Sequence, residues 1–227
     1  MRNMTKRRRA LMKHTSSHQG GLPNGYDEVE WLRGSGTQYC ETSYSAVFNS
    51  NFYQTIKGDI IVFNDNNNCS FAIADSWVGA ENQMVGVKCD RTYFSFYYGR
   101  QNSDYQTISI SQFGAYPIDI HYELNATNVK ANNIVINKSL SEYASPLSDH
   151  FLIGAYKNNQ GVITVANEGV YIKKFALYNE IDGLELISEF IPCYRRQDHK
   201  PGFYETGTQT FLQNLGSGYD WIIGPVV

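Results

Sequence analysis

The sequence predicts an all-β fold, a two-sheet antiparallel β-sandwich, and three observations support this prediction. The chain of 227 residues contains 17 Tyr, 12 Phe and 19 Gly, a composition typical of strands joined by tight turns. From Tyr26 onward the apolar residues recur with a period of two, as they do in half-buried strands. Many such short runs follow one another at close spacing, and no long helical pattern interrupts them.

Individual strands are predicted from this alternation and from the loop residues between the runs. Val29 and Trp31 alternate with Glu28 and Glu30 in the first strand, and a turn at Gly34–Gly36 leads into the next. A single helical turn is predicted near residues 141–143. Further strands are predicted at residues 37–42, 59–63, 70–74, 84–89, 92–98, 107–111, 117–124, 133–136, 151–156, 162–165, 170–178, 184–191 and 203–205.

Two features predict how these strands connect. Asp182-Gly183 stands between two apolar alternating runs, which is a strong signal for a β-hairpin. The first and last segments of the body are both strand-like and apolar on one face. We therefore expect the N-terminal and C-terminal strands to pair with each other and close the sandwich.

Residues 1–21 differ from the rest of the chain in charge and composition. An isolated segment of this kind cannot bury enough apolar surface to order itself, so we expect an arm that lies against a neighbouring subunit. A disordered tail that is held in place only by packing is one alternative. Nucleic-acid binding is a weaker one, because the cluster is short and has no interleaved aromatic residues. The basic residues of the arm, six of the 19 in the chain, are Arg2, Lys6, Arg7, Arg8, Arg9 and Lys13.

The body of the chain shows few signs of a metal, a cofactor or a membrane. Its four cysteines, Cys40, Cys69, Cys89 and Cys193, are far apart, so we expect free thiols and neither zinc nor any cofactor. The formal charge of −3 indicates no polyionic partner. We expect no secretory signal and no membrane insertion, because no long apolar run is present. Asp65 is the only carboxylate in the Asn-rich loop 64–68, which favours a plain turn over a calcium site.

Aromatic residues are concentrated in one predicted strand, where Tyr93, Phe94, Phe96, Tyr97 and Tyr98 occur within a short run. Both faces of this strand therefore carry rings, and one of the faces must belong to the core. Tyr93, Tyr97 and Tyr98 are candidates for a glycan or subunit contact, because tyrosine offers an apolar plate with a polar edge. Ordinary packing between strands is the alternative.

Two sets of residues at the ends of the body carry a resemblance. The first is Leu22–Leu32 with Gly34–Tyr39, and the second is Phe190–Cys193, Gly202–Tyr204, Phe211 and Gly224-Pro225. This pairing resembles a family of phage and prophage virion proteins, from tails and head fibres, built on a laminin-G-like or concanavalin-like jelly roll. The resemblance covers roughly residues 22–227. Cys40 and Glu205 depart from the family pattern, where an apolar or β-branched residue and an aspartate are usual.

The resemblance implies a structural or adhesive component of a bacteriophage virion, made in the cytoplasm of the bacterial host. Residues 1–21 would anchor it to other virion proteins, and residues 22–227 would form one displayed jelly-roll domain. The resemblance further implies a homo-oligomer that binds host or mucosal glycans. It implies no enzymatic activity, and we assign no catalytic residues.

The alternative function is that of a glycoside hydrolase or depolymerase. Glu180, Asp182 and Glu185 resemble the E-x-D-x-x-E motif of laminarinase-like hydrolases, which share the concanavalin-like sandwich. A retaining enzyme of this kind holds its two carboxyl groups about 5–5.5 Å apart. A turn through Asp182-Gly183 would instead place Glu180 and Glu185 on opposite sides of a hairpin, at the rim of the sheet.

Overall fold

The computed structural model describes residues 21–45, 54–63, 71–74, 83–100, 105–125, 127–137, 150–157, 162–165, 167–179 and 184–227. These residues form antiparallel sheets packed as an all-β, jelly-roll-like sandwich, which confirms the fold class predicted from the sequence. In chain order the strands are β1 (Tyr26–Glu28), β2 (Leu32–Arg33), β3 (Cys40–Ser45), β4 (Gln54–Val62), β5 (Phe71–Ala74), β6 (Gln83–Cys89), β7 (Tyr93–Arg100), β8 (Tyr105–Ser109), β9 (Ile118–Leu124), β10 (Asn128–Ala131), β11 (Ile134–Asn137), β12 (His150–Ile153), β13 (Ala155–Lys157), β14 (Ile163–Val165), β15 (Val170–Asn179), β16 (Glu185–Arg195), β17 (Lys200–Glu205), β18 (Thr210–Gln213) and β19 (Ile222–Ile223).

Two sheets contain all of these strands. The large sheet has the order β11-β10-β9-β4-β15-β16-β17-β18, with β1 paired to β16, β2 to β15 and β19 to β2. The small sheet has the order β14-β13-β5-β6-β7-β8, and β12 joins β3 to β5. The short contact of β13 with β5 is parallel, while the other strand pairs are antiparallel. Antiparallel sheets of this kind bury one face and leave the other to solvent.

The core lies between the two sheets and is lined by alternate residues of each strand. In β9, Ile118, Ile120 and Leu124 are buried while Asp119 and His121 are exposed. Aromatic rings fill the middle of the core: Phe175 and Phe190 of the large sheet stack with their ring centroids 4.4 Å apart. Phe94 of the small sheet lies 5.8 Å from Tyr122 of the large sheet, so buried residues of both sheets form one cluster.

The two ends of the sandwich pair with each other, which confirms the predicted closure. Strand β1 pairs with the end of β16, and β19 pairs with β2. Between these strands the Val29 amide donates to the Pro192 carbonyl at 3.0 Å, and the Glu30 amide donates to the Pro225 carbonyl at 2.8 Å. The Gly224 amide donates to the Trp31 carbonyl at 2.9 Å. The N-terminal segment is thus hydrogen-bonded to β16 on one side and to the C-terminal segment on the other.

Some predicted boundaries were wrong, and each difference has a local cause. Strand β4 begins at Gln54, before the predicted start at Asp59, because Gln54 and Thr55 are polar residues that the fold nevertheless buries. The strand predicted to reach Ser111 ends at Ser109, where Ile110–Phe113 forms a 3₁₀ helix. The helical turn predicted near residues 141–143 lies outside the described residues.

Strand β16 also differs from its prediction, since it continues through Pro192 to Arg195. Proline has no amide proton and therefore interrupts most central strands. Here β1 ends at Glu28, and the next residue, Val29, donates to the Pro192 carbonyl. The proline, which lacks an amide donor, therefore stands just past the last β1–β16 pair, Glu28 with Cys193.

The cysteines that the structure describes are buried free thiols, Cys40, Cys89 and Cys193, while Cys69 lies outside the described residues. Burial raises the pKa of both the Cys40 and the Cys193 thiol to about 12. These two side chains therefore stay protonated at neutral pH and act as small apolar core groups. No helix in the described part of the chain is long and apolar enough to cross a membrane.

The close approach of β17 and β18 gives a test of the closure. A Cβ atom added to Gly202 would lie 2.3 Å from the Leu212 carbonyl oxygen and 2.8 Å from the Phe211 ring. We expect Gly202→Ala to lower the free energy of unfolding by about 1–3 kcal/mol, the usual cost of overpacking. Urea unfolding measures this change.

The control for this experiment is Gly21→Ala, because a Cβ atom at Gly21 would meet nothing within 4 Å. That variant should differ from the wild type by no more than about 0.5 kcal/mol. Equal stability of the Gly202→Ala and Gly21→Ala proteins would contradict the packing described for β17 and β18.

Candidate functional site

A row of outward-facing residues crosses five strands of the large sheet. The strand register aligns Lys130 of β10 with Glu123 of β9, and Glu123 with Lys57 of β4. It then aligns Lys57 with Ala176 of β15, and Ala176 with Glu189 of β16. The charge therefore alternates along the row and is interrupted at one small residue, Ala176.

A β-bulge adds a second row beside the first. Between Ile172 and Phe175 the register of β15 against β4 shifts by one residue, so that Lys173 and Lys174 both lie opposite Asp59. The Lys173 ammonium lies 2.9 Å from an Asp119 oxygen, and the Lys174 ammonium lies 2.9 Å from a Glu189 oxygen. The bulge thus directs two successive lysines to carboxylates on two different strands.

The residues of the first row, together with Asp59 and Lys174, line a depression of about 420 Å³ on the outer face of the large sheet. Ala176, only 6% exposed, lies at a gap in the row between the longer side chains of Lys57 and Glu189. The Lys57 ammonium lies 5.4 Å from the centre of the Tyr178 ring, so the aromatic wall and the charged wall of the depression meet. The arrangement combines several fixed charges with a small apolar surface.

The charged groups in the depression are held as ion pairs. The Glu123 carboxylate lies 3.2 Å from the Lys57 ammonium and 3.1 Å from the Lys130 ammonium. Partial burial raises the pKa of Glu123, but hydrogen bonds and charge from the two lysines outweigh this effect and leave the pKa below its ordinary value. The carboxylate is thus ionised at neutral pH, unlike a general acid, whose pKa must be raised.

Two further side chains, those of His121 and Tyr122, lie next to the floor of the depression and beneath it. The His121 ring hydrogen-bonds through Nδ1 to the Asp59 carboxylate. Beneath the sheet, the Tyr122 hydroxyl is buried and has no hydrogen-bond partner among the residues that the structure describes, and a Cβ atom on Gly58 would lie 2.6 Å from it. Burial and the charge of Asp59 raise the pKa of Tyr122 well above its ordinary value. Gly58 therefore leaves the space that the Tyr122 side chain needs.

Within the described residues, no three His, Cys, Asp or Glu side chains converge in a way that would hold a metal ion. The chemistry of the depression follows from its ion pairs and its aromatic wall. Such groups can bind a polar ligand by charge-assisted hydrogen bonds and contact its apolar face.

The hydrolase alternative depends on three carboxylates, of which the structure describes Glu185. Glu180 and Asp182 lie outside the described residues, as does the Asn-rich loop around Asp65. Glu185 is the exposed first residue of β16 and pairs with Asn179, the last residue of β15. Strands β15 and β16, on either side of the undescribed residues 180–183, pair antiparallel as the predicted hairpin requires. The basic residues of the predicted arm, Arg2, Lys6, Arg7, Arg8, Arg9 and Lys13, also lie outside the described part of the chain.

The aromatic strand divides its rings between two environments, as the sequence predicts. Phe94 and Phe96 are buried in the core, while Tyr93 is 44% exposed. Tyr97 stacks on Tyr105 of the neighbouring strand β8, with ring centroids 6.0 Å apart and an interplanar angle of 24°. The side chain of Tyr98 lies outside the described part. No local pattern in the sequence identifies Tyr105 as part of this surface, because its pairing with Tyr97 depends on the register of β7 and β8.

The depression on the large sheet was not predicted either. One signal for it was present in the sequence: Asp119, His121 and Glu123 alternate along β9 and so share the outer face. The partners of these residues come from β4, β10 and β15, and only the pairing of distant strands brings them together.

Comparison with protein-family models and with curated protein sequences gives no match for this chain.

The ion pairs of Glu123 predict a pH-dependent contribution to stability. Its folded-state pKa is lowered from the ordinary value of 4.5. The stabilisation is therefore present above that value and is lost as the pH falls through the lower folded-state pKa. We expect Glu123→Gln to reduce the free energy of unfolding at pH 7 by less than about 1 kcal/mol, because the pair is partly exposed. At about pH 3 the difference from the wild type should shrink.

Urea unfolding of both proteins at the two pH values measures this contribution. Glu185→Gln is the matched control, because it neutralises an exposed glutamate elsewhere on the same sheet. A Glu123→Gln protein whose difference from the wild type does not change with pH would contradict the ion-pair description.

Proposed function

We propose that this protein is a structural and adhesive component of a bacteriophage virion. Residues 1–21 anchor it to other virion proteins, and residues 22–227 form the displayed jelly-roll domain. The observation that carries the proposal is that the residues of the virion-family resemblance, although far apart in the sequence, meet at the closure of the sandwich.

Aromatic contacts join β1 to β17 and β18 at the closure of the sandwich. The Tyr26 ring lies 5.2 Å from the Tyr204 ring and 5.6 Å from the Phe211 ring, measured between centroids. The Arg195 guanidinium lies 4.3 Å from the centre of the Phe211 ring. Gly202 has no room for a side chain beneath Phe211, which explains why glycine precedes the Phe203-Tyr204 pair.

The last residues of the chain also contribute to this closure. The Trp31 indole packs on Gly224, where a Cβ atom would lie 2.7 Å from the ring. The Pro225 carbonyl accepts a hydrogen bond from the Glu30 amide. Residues that carry the resemblance thus contribute together to the closure of the sandwich. This supports the use of the resemblance as a guide to the family.

Glu205 stands where the virion family usually has an aspartate, and this difference is compatible with the fold. Its buried carboxylate accepts a hydrogen bond from the Ser43 amide at 3.1 Å and from the Thr208 hydroxyl at 3.0 Å. Glu205 belongs to the large sheet and Ser43 to the small sheet, so the glutamate joins the two sheets. A buried carboxylate needs such donors.

Adhesion is the part of the proposal that concerns the outer faces of the sandwich. The stacked pair Tyr97 and Tyr105, together with exposed Tyr93, offers aromatic surface on the small sheet for a glycan or for another copy of the chain. Virion fibres are oligomeric, and we therefore propose a homo-oligomer attached to the head or to the tail.

The anchoring role is tested by removing residues 1–21. We expect the truncated protein to keep the cooperative thermal unfolding of the full chain, because the closure begins at Tyr26. We also expect it to be absent from purified phage particles, since the basic segment supplies the attachment. Immunoblotting of purified particles measures incorporation.

A matched variant keeps the length of the arm and replaces Arg7, Arg8 and Arg9 by glutamine. Loss of incorporation in this variant would assign the attachment to the basic charges. Normal incorporation of the truncated protein would show that the anchor lies elsewhere and would contradict the proposed division of the chain.

A further inference from the structure

We propose that the depression around Ala176 on the outer face of the large sheet binds a neutral saccharide unit. This inference deepens the adhesive part of the proposed function, on which its biological meaning rests. It assigns binding to a different sheet from the one that carries Tyr93, Tyr97 and Tyr105.

The size of the depression is the first argument. Its volume of about 420 Å³ lies within the range of about 300–1,000 Å³ found for small-ligand sites. The space exists because alanine stands where its neighbours in the row, Lys57 and Glu189, have long side chains. A larger residue at position 176 would fill the space without altering any ion pair.

The balance of charge is the second argument, and it indicates a neutral ligand. Three ammonium groups and three carboxylates line the depression, and neither sign exceeds the other. A ligand with a full charge would therefore meet as much repulsion as attraction. The charged residues concerned are Lys57, Lys130, Lys174, Asp59, Glu123 and Glu189.

The pairing of these charges determines the type of polar group that fits. Each ammonium is a donor without acceptor capacity, and each ionised carboxylate is an acceptor without donor capacity. A hydroxyl group can both donate and accept, so neighbouring hydroxyls on one ligand can bridge an ammonium and a carboxylate of the same ion pair. The bonds that form are charge-assisted and stronger than bonds between neutral groups.

An apolar surface completes the recognition of a sugar. The Tyr178 ring is half-buried at one side of the depression, next to the Ala176 methyl group on the same face of β15. A saccharide ring combines hydroxyl groups with C–H surface, and tyrosine offers a matching apolar plate with a polar edge. A simple polyol or an inorganic ion would use only the charged part of the site.

The backbone that carries the site is formed by paired strands before any ligand binds. Its charged side chains stand on these strands rather than on loops, and ion pairs link Lys57 to Glu123 and Lys174 to Glu189. A site on strands is positioned more precisely than a site on loops, a condition that favours weak polar ligands.

The test uses the full chain and an array of immobilised mono- to tetrasaccharides of neutral hexoses and N-acetylhexosamines. The strongest binder on the array is then titrated against the protein by calorimetry. We expect the wild type to bind and Ala176→Leu to bind at least about tenfold more weakly, because leucine fills the floor of the depression. Lys174→Gln should also weaken binding by about tenfold, through loss of a charge-assisted hydrogen bond.

Two controls separate the depression from other surfaces. Lys200→Gln removes the same charge from an exposed ion pair with Asp220 elsewhere on the large sheet, and should bind like the wild type. Tyr105→Ala breaks the aromatic pair on the small sheet and should also bind like the wild type. Thermal unfolding shows whether each variant is folded, and Lys174→Gln decides the matter if leucine at position 176 prevents folding.

Three results would overturn the inference: no binding of the wild type to any saccharide on the array, undiminished binding by folded Ala176→Leu, or loss of binding in Tyr105→Ala alone. These results leave the virion role intact, because particle incorporation is measured separately. If the chain without residues 1–21 were incorporated into particles, the proposed anchoring role would be wrong. The prediction that the isolated protein binds a saccharide would not be affected by that result.

Discussion

The structure depends on one short segment, residues 28–33, that is hydrogen-bonded on both of its edges. Val29 donates to Pro192 on one side, while Glu30 donates to Pro225 on the other. An edge strand left open would expose a row of unpaired amide and carbonyl groups. Here the C-terminal segment covers that row, so residues from the two ends of the body complete the large sheet. The register of β16 beside β15 and β17 is supported by the same contacts, and β15 in turn positions the outer-face residues of the depression.

The strands at the centre of the large sheet serve the core and the candidate site at once. In β4 and β9 the inward residues, such as Ile60 and Ile120, are fully buried, and the outward residues Asp59 and His121 pair with each other. This division follows from the two-residue period of a strand. Outward-facing residues can therefore be substituted without changing the residues of the core. The bulge in β15 is the exception, because it redirects Lys173 and Lys174 by shifting the register itself.

The alternation of apolar residues predicted the sandwich and the pairing of the two ends, and together with Asp182-Gly183 it predicted the pairing of β15 with β16. These features depend on local period and on apolar faces that must be buried somewhere. The depression depends instead on register across five strands, and no local pattern in the sequence determines which residue of β15 stands beside Lys57. For that reason, the sequence alone did not indicate that Ala176 lies at a candidate binding site. The same limit applies to Tyr105, whose stacking with Tyr97 depends on the pairing of β7 and β8.

The ion pairs of the outer face contribute little to folding, which is compatible with the binding role proposed for them. Exposed pairs are worth about 0–1 kcal/mol each, whereas burial of a single large core side chain such as Phe190 contributes about 1.5–3 kcal/mol. Stability therefore does not require an ordered row of alternating charges around a small residue. A general-acid role for Glu123 is disfavoured as well, because its two lysines keep the carboxylate ionised and so unable to donate a proton. A site that holds charges in pairs, leaves a gap at Ala176 and places Tyr178 beside it offers the groups that the proposed saccharide binding requires.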